Sequence, residues 1–134
     1  YKVFYLNYKN NEEISSSSPQ KMTKENILKK IEMLNEHNDN FFGIIDSNDV
    51  TLQFRATPES KIWAEIPIPK EKGSYGAEIE YQEVVTILKE LDGSIDKNNY
   101  SNFEFDSWGK TNNSIENDPC AEIKNEKNWW QFWK

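Results

Sequence analysis

The sequence predicts an α+β fold: an antiparallel sheet, with the element order β-α-β-β-β-α-β, that carries two helices on one face. Apolar and polar residues alternate strictly at 50–56 and 61–68, which is typical of strands with one buried face. Apolar residues recur at helical spacing at 23–38 and 81–91. The short polar connections between the strands favour antiparallel neighbours.

The first strand and the first helix follow from local composition. Residues 1–9 (YKVFYLNYK) are aromatic and β-branched, which favours a strand, whereas the serine-rich residues 10–20 predict a loop. Thr23 is an N-cap candidate for a helix that is expected to end near His37 or Asn38. The apolar stripe of this helix consists of Ile27, Leu28, Ile31 and Leu34.

Three consecutive strands are predicted at 41–46, 50–56 and 61–68, and short polar turns join them. The alternation gives the second and third strands two sides. One side contains Val50, Leu52, Phe54, Ala56, Ile62, Ala64, Ile66 and Ile68, and the other contains Thr51, Gln53, Arg55, Trp63 and Glu65. The first side is expected to join the core, and the second to stay wet and available for binding.

The C-terminal half predicts one more helix and one more strand. Pro67, Pro69 and the stretch 70–77 interrupt the sheet pattern. A helix is then predicted at 81–91, and the alternating, aromatic–acidic residues 102–108 (NFEFDSW) predict the last strand.

Domain organisation follows from the distribution of apolar residues. Residues 1–108 are expected to form a single α+β domain, and residues 109–134 a polar tether without its own core. The tether ends in WWQFWK, where Trp129, Phe132 and Trp133 fall at helical spacing. This tail could dock on its own domain, on another protein or at a membrane surface.

The composition limits the classes of partner. The 134 residues carry a net charge of −7, whereas a free nucleic-acid binder is normally basic, so direct nucleic-acid binding is not expected. A basic protein partner fits the charge better. No apolar run approaches the ~20 residues of a membrane span, so no stable membrane insertion is expected. The start of the chain has no signal-peptide pattern, and the expected location is the cytoplasm.

The residue types needed for catalysis or metal binding are few. His37 is the one histidine and Cys120 the one cysteine, so no zinc site, no Cys–His nucleophile and no cofactor is predicted. Residues 46–49 (DSND) are expected to form a hairpin turn rather than a calcium loop, because the required Gly and Glu do not follow. A hydrolase that pairs Glu65 with an acidic residue of the last strand is the least favoured alternative.

Two surfaces are predicted to bind a partner. The first is the outward side of the central strands, with Arg55, Trp63 and Glu65, because aromatic and Arg side chains beside carboxylates are typical of binding hot spots. The alternative is that a terminal segment covers Trp63. The second surface is acidic and consists of Asp92, Asp96, Glu104 and Asp106, with Trp108 beside them. It could steer a basic partner, and the alternative is a solvated charged edge.

The order of these segments resembles a known family. The helix MTKENILKKIEMLN precedes DNFFGIIDSNDVTLQF, IWAEIPI, EYQEVVTILKEL and an aromatic–acidic strand that ends in Trp108. This pattern is similar to that of the small immunity proteins of bacterial polymorphic toxin and contact-dependent inhibition systems. The resemblance implies a non-enzymatic inhibitor that binds the toxic C-terminal domain of a cognate toxin, often a basic nuclease.

Two further expectations remain open. In the alternative reading, the chain is an interaction or adaptor module that recognises its partner through the aromatic tail WWQFWK. A homodimer is also possible in principle, because an exposed sheet face or a free edge strand can pair with a second copy.

Overall fold

The computed structural model describes residues 1–107 of the chain. The predicted α+β class is confirmed, since one antiparallel sheet carries two helices on one face, although the sheet has eight strands rather than five. Trp108, the tether and the tail at 129–134 lie outside the described residues, so the predictions about them stay predictions.

The elements alternate between short strands and two helices. In chain order they are β1 (Lys2–Asn7), β2 (Glu12–Ile14), β3 (Gln20–Lys21), α1 (Lys24–Lys30), β4 (Phe41–Ile45), β5 (Thr51–Ala56), β6 (Ile62–Ile68), β7 (Gly73–Ile79), α2 (Tyr81–Glu90) and β8 (Glu104–Ser107). Three 3-10 helices, at Ile31–Asn35, Pro69–Glu71 and Lys97–Asn99, lie in the connections.

The strands are arranged in the order β2-β1-β4-β5-β6-β7-β8, and β3 pairs with β1 beside β2. Each neighbouring pair is antiparallel. Phe42 pairs with Phe54, Phe54 with Ala64, and Ala64 with Ala77, so one row of apolar side chains crosses four strands on one face. Because side chains alternate between faces along a strand, this register fixes the two faces of the whole sheet.

The two helices cover the apolar face and close the core. Thr23 caps α1 as predicted, with the Asn26 N–H donating to Thr23 Oγ1 at 3.2 Å. A capping box formed by Glu80 and Glu83 begins α2. The helical residues buried with the sheet are Ile27, Ile31, Leu34, Val84 and Leu88. We name this side of the sheet the core face, and the opposite side the outer face.

The first helix is shorter than predicted, because α1 ends at Lys30 and a 3-10 helix continues to Asn35. The fully buried Asn40 lies beneath this segment, and its Nδ2 donates to the Met33 carbonyl at 2.8 Å and to Asn7 Oδ1 at 2.9 Å. The Asn40 Oδ1 accepts from the Tyr8 N–H at 2.7 Å. The Met33 carbonyl, which a longer α-helix would pair within itself, thus accepts from the side chain of Asn40, the residue that precedes β4.

Three strands were not expected from the sequence. The prediction of a loop at 10–20 was wrong at its two ends, where β2 and β3 pair with the edge of β1. β6 runs through Pro67 to Ile68 as predicted, but the prediction that residues 70–77 interrupt the sheet was wrong, since β7 begins at Gly73 and pairs with β6 along its whole length. Gly73 and Gly76 have no side chains, which hides the alternation of β7 from a pattern of apolar residues.

The predicted hairpin turn after β4 is confirmed, and a buried carboxylate organises it. Asp46 Oδ1 accepts hydrogen bonds from the N–H groups of Asn48 at 2.8 Å and Val50 at 2.9 Å. Asp46 Oδ2 accepts from the N–H of Ile95 at 2.7 Å. This side chain therefore joins the β4–β5 turn to the connection between α2 and β8.

Candidate functional site

The outer face of the sheet brings together the residues predicted at the first binding surface. Arg55 pairs with Trp63, and Trp63 with Glu78, in one row across β5, β6 and β7. In the adjacent row Gln53 pairs with Glu65, Glu65 with Gly76, and Gly76 with Glu104. The placement of Arg55, Trp63 and Glu65 on the side opposite the core is thus confirmed.

The expectation that this face is wet was wrong at its centre. Gln53 is 0% exposed, Glu65 is 6% exposed, and Phe4 and Phe41 are 3% and 4% exposed. The Phe4 ring lies against the backbone at Gly43, where a Cβ atom would be 2.0 Å from Phe4 Cζ. The centre of the outer face is therefore a second apolar layer with polar groups enclosed in it.

Glu65 is held in this layer by two neighbouring side chains. Trp63 Nε1 donates to Glu65 Oε1 at 2.7 Å, and Gln53 Nε2 donates to Glu65 Oε2 at 3.4 Å. Burial raises the pKa of Glu65, because desolvation outweighs the two hydrogen bonds and the positive charge of Arg55, and the negative charge of Asp106 adds to the rise. The neutral acid is thus favoured more strongly here than in water.

The fully buried Gln53 is the second unusual polar group. Its Oε1 has no hydrogen-bond partner in the part of the chain that the structure describes. A buried acceptor without a hydrogen bond costs free energy, which makes this oxygen unusual in the layer.

We expect the Glu65→Gln substitution to stabilise the protein at pH 8. The folded-state pKa of Glu65 lies above the unfolded value, so its contribution to stability is fully present below the unfolded pKa and is lost as pH rises through the folded pKa. Each unit of that difference corresponds to about 1.4 kcal/mol. Urea unfolding from pH 4 to pH 8 should show an advantage of the variant that grows with pH.

The matched control is Glu104→Gln, which removes an exposed carboxylate from the same face. It is expected to change the free energy of unfolding by less than about 0.5 kcal/mol at each pH. A Glu65→Gln variant that is less stable than the parent at pH 8 would contradict the prediction, because the neighbours would then favour the ionised carboxylate.

The exposed part of the outer face is aromatic and acidic. Trp63 is half-buried, and its ring lies over Gly76, where a Cβ atom would be 2.8 Å from Trp63 Cζ2. The carboxylates of Glu78, Glu104 and Asp106 are exposed around it. We name these four residues the aromatic–acidic patch.

The second predicted surface is divided by the fold. Glu104 and Asp106 of β8 belong to the aromatic–acidic patch, whereas Asp92 and Asp96 lie in the connection between α2 and β8. Asp96 Oδ1 accepts from the Asn98 N–H at 2.9 Å and caps a 3-10 helix, and Asp92 is exposed. Trp108, predicted beside these acids, lies outside the described residues.

Sequence reasoning missed Glu78, because residues 70–77 were expected to interrupt the sheet and no strand was predicted to continue through residue 78. The signal was present in the last residues of β7, where Ala77 and Ile79 alternate with Gly76 and Glu78. A glycine at an outer-face position weakens the alternation of apolar and polar residues, although the strand continues.

The described residues offer few other sites. Residues 1–107 contain no group of three or more His, Cys, Asp or Glu side chains that could hold a metal ion. Within the same range, the helices are too short or too polar to cross a membrane. No family of known proteins, no curated protein and no solved structure matches this chain.

Proposed function

We propose that this protein is an immunity protein: a non-enzymatic inhibitor that binds the toxic C-terminal domain of a cognate bacterial toxin and neutralises it by association. The observation that carries the proposal is the aromatic–acidic patch, in which the half-buried Trp63 lies among three exposed carboxylates. A desolvated aromatic anchor slows dissociation, and surrounding charges speed the encounter with a partner of opposite sign.

The overall charge supports a basic partner. The chain carries a net charge of −7, and such a field repels nucleic acid while attracting a basic protein such as a nuclease domain. The resemblance of its segment order to immunity proteins supports the same class of partner. We place the complex in the cytoplasm, where the substrate of a nuclease toxin would be reached.

The direct test is co-expression with the toxic domain encoded by the gene immediately upstream. Expression of that domain alone should arrest growth, and co-expression of this chain should restore growth and yield a one-to-one complex on purification. Growth arrest that this chain does not relieve, or an upstream product that is harmless on its own, would overturn the proposal.

Charge reversal tests whether the aromatic–acidic patch is the contact. The double substitution Glu104→Lys and Asp106→Lys is expected to slow association about tenfold or more at low salt, because it reverses the local field. Surface plasmon resonance at two salt concentrations measures the rate.

The matched control for charge reversal is Glu13→Lys with Glu32→Lys, two exposed acids outside the patch. Each substitution adds two charges, so both double variants move from −7 to −3. Equal slowing in the two variants would show that net charge, rather than the patch, sets the rate.

A further inference from the structure

The outer face is enclosed without a visible covering layer in the described part of the chain. Phe4 and Phe41, two large apolar side chains on this face, are 3% and 4% exposed, and Thr51 is 4% exposed. The buried residues of both helices belong to the core face, as do Ile95 and Phe103 of the α2–β8 connection. In residues 1–107, then, no helix lies over the outer face.

We propose that the aromatic tail, residues 129–134 (WWQFWK), docks on the outer face of its own domain and forms a third layer over Phe4, Phe41 and Gln53. This inference goes beyond the proposed function and does not depend on it. It concerns an intramolecular contact at the centre of the outer face, next to the aromatic–acidic patch.

The length of the chain beyond β8 fits this contact. Five strand spacings separate β8 from β1, which is a distance of about 24 Å at ~4.8 Å per strand. The 21 residues at 108–128 connect β8 to the tail, and a chain of that length spans at most roughly 70 Å when fully extended, so the tail can reach every strand of the outer face.

The chemistry of the tail complements this face. Trp129, Phe132 and Trp133 at helical spacing supply an apolar surface for Phe4 and Phe41. The indole N–H groups and the amide of Gln131 are donors, which the buried Gln53 Oε1 lacks in the described residues.

Charge supports the same placement. Lys127 precedes the tail and Lys134 ends it, and exposed carboxylates of Glu78, Glu104 and Asp106 lie on one side of the outer face. Cations at the ends of an aromatic segment would meet anions at the border of the apolar layer. Opposite charges in this arrangement favour docking.

Thiol reactivity in the full-length chain tests the proposal. With Cys120→Ser as background, the substitution Thr51→Cys places the one thiol on the outer face, and its reaction rate with a maleimide reports accessibility. Replacing Trp129, Phe132 and Trp133 by serine should raise that rate at least tenfold. A rate that the serine substitutions leave unchanged would overturn the proposal.

Two control positions separate docking from unfolding. A thiol from Glu78→Cys, which is exposed, should react fast with either tail, and a thiol from Ala64→Cys, on the core face, should stay protected with either tail. If the thiols at positions 51 and 64 both lose protection, the tail variant has unfolded. The reaction rate of the thiol at position 51 should then be compared between the parent tail and the single substitution Trp133→Ser. Protection at 51 that falls on dilution of the parent would assign the cover to a second copy and overturn the proposal.

Discussion

Replacing Phe54 by alanine is expected to lower the free energy of unfolding by about 3–5 kcal/mol, which for a domain of this size removes a large share of the total stability. Phe54 is 0% exposed and lies at the centre of the core face, opposite Phe42 on β4 and Ala64 on β6. Packed strands on both sides prevent the cavity from collapsing, so the full cost of lost contacts is expected. Urea unfolding monitored by circular dichroism measures it.

The matched control for Phe54 is Phe105→Ala. Phe105 is on the core-face side of the edge strand β8 and is 42% exposed, with its ring 5.1 Å from that of Tyr75. The same deletion there should cost about 1 kcal/mol or less, since little apolar area returns to water. Similar losses for the two variants would indicate that the sheet does not pack as described.

The second large effect is expected for Asp46→Ala, which should lower the free energy of unfolding by about 2–5 kcal/mol. The buried carboxylate accepts three backbone hydrogen bonds, at 2.7–2.9 Å, from Asn48, Val50 and Ile95. Hydrogen bonds to a charged group contribute about 1.5–3 kcal/mol each, and donors left buried without a partner add a cost. Urea unfolding measures the loss, and amide hydrogen exchange should show the N–H of Ile95 losing protection.

Two further substitutions serve as controls for the Asp46 prediction. Asp46→Asn keeps one acceptor oxygen and should have an intermediate effect, while Ser47→Ala in the exposed part of the same turn should change stability by less than about 0.5 kcal/mol. If Asp46→Ala proves no more harmful than Ser47→Ala, the carboxylate does not organise the turn.

The local patterns of the chain determined much of the fold. The alternation in β5 and β6 assigned Leu52, Phe54 and Ala64 to the core and Trp63 and Glu65 to the opposite side, and the register agrees. Because side chains alternate between the two faces of a strand, the residues between the apolar ones must lie on the opposite face. The N-cap at Thr23 was equally readable, because a cap is a contact between residues three apart in the chain.

Contacts between distant residues decided the rest. The Asn40 side chain donates to the Met33 carbonyl of the 3-10 turn at 31–35, and Gln53 and Trp63, on two paired strands, donate to Glu65. The pairing of β7 with β6 placed Glu78 opposite Trp63, although residues 70–77 were predicted to interrupt the sheet.

The amino-acid sequence by itself thus determined the α+β class, the two helices and the side of each central strand, because periodicity and capping are properties of neighbours along the chain. Only the tertiary structure decided that the side chains at the centre of the outer face are buried and that exposed acidic side chains lie at one border. The hydrogen bond from Gln53 to Glu65, the buried carboxyl whose pKa is raised, forms only when β5 pairs with β6, and no local pattern encodes that pairing.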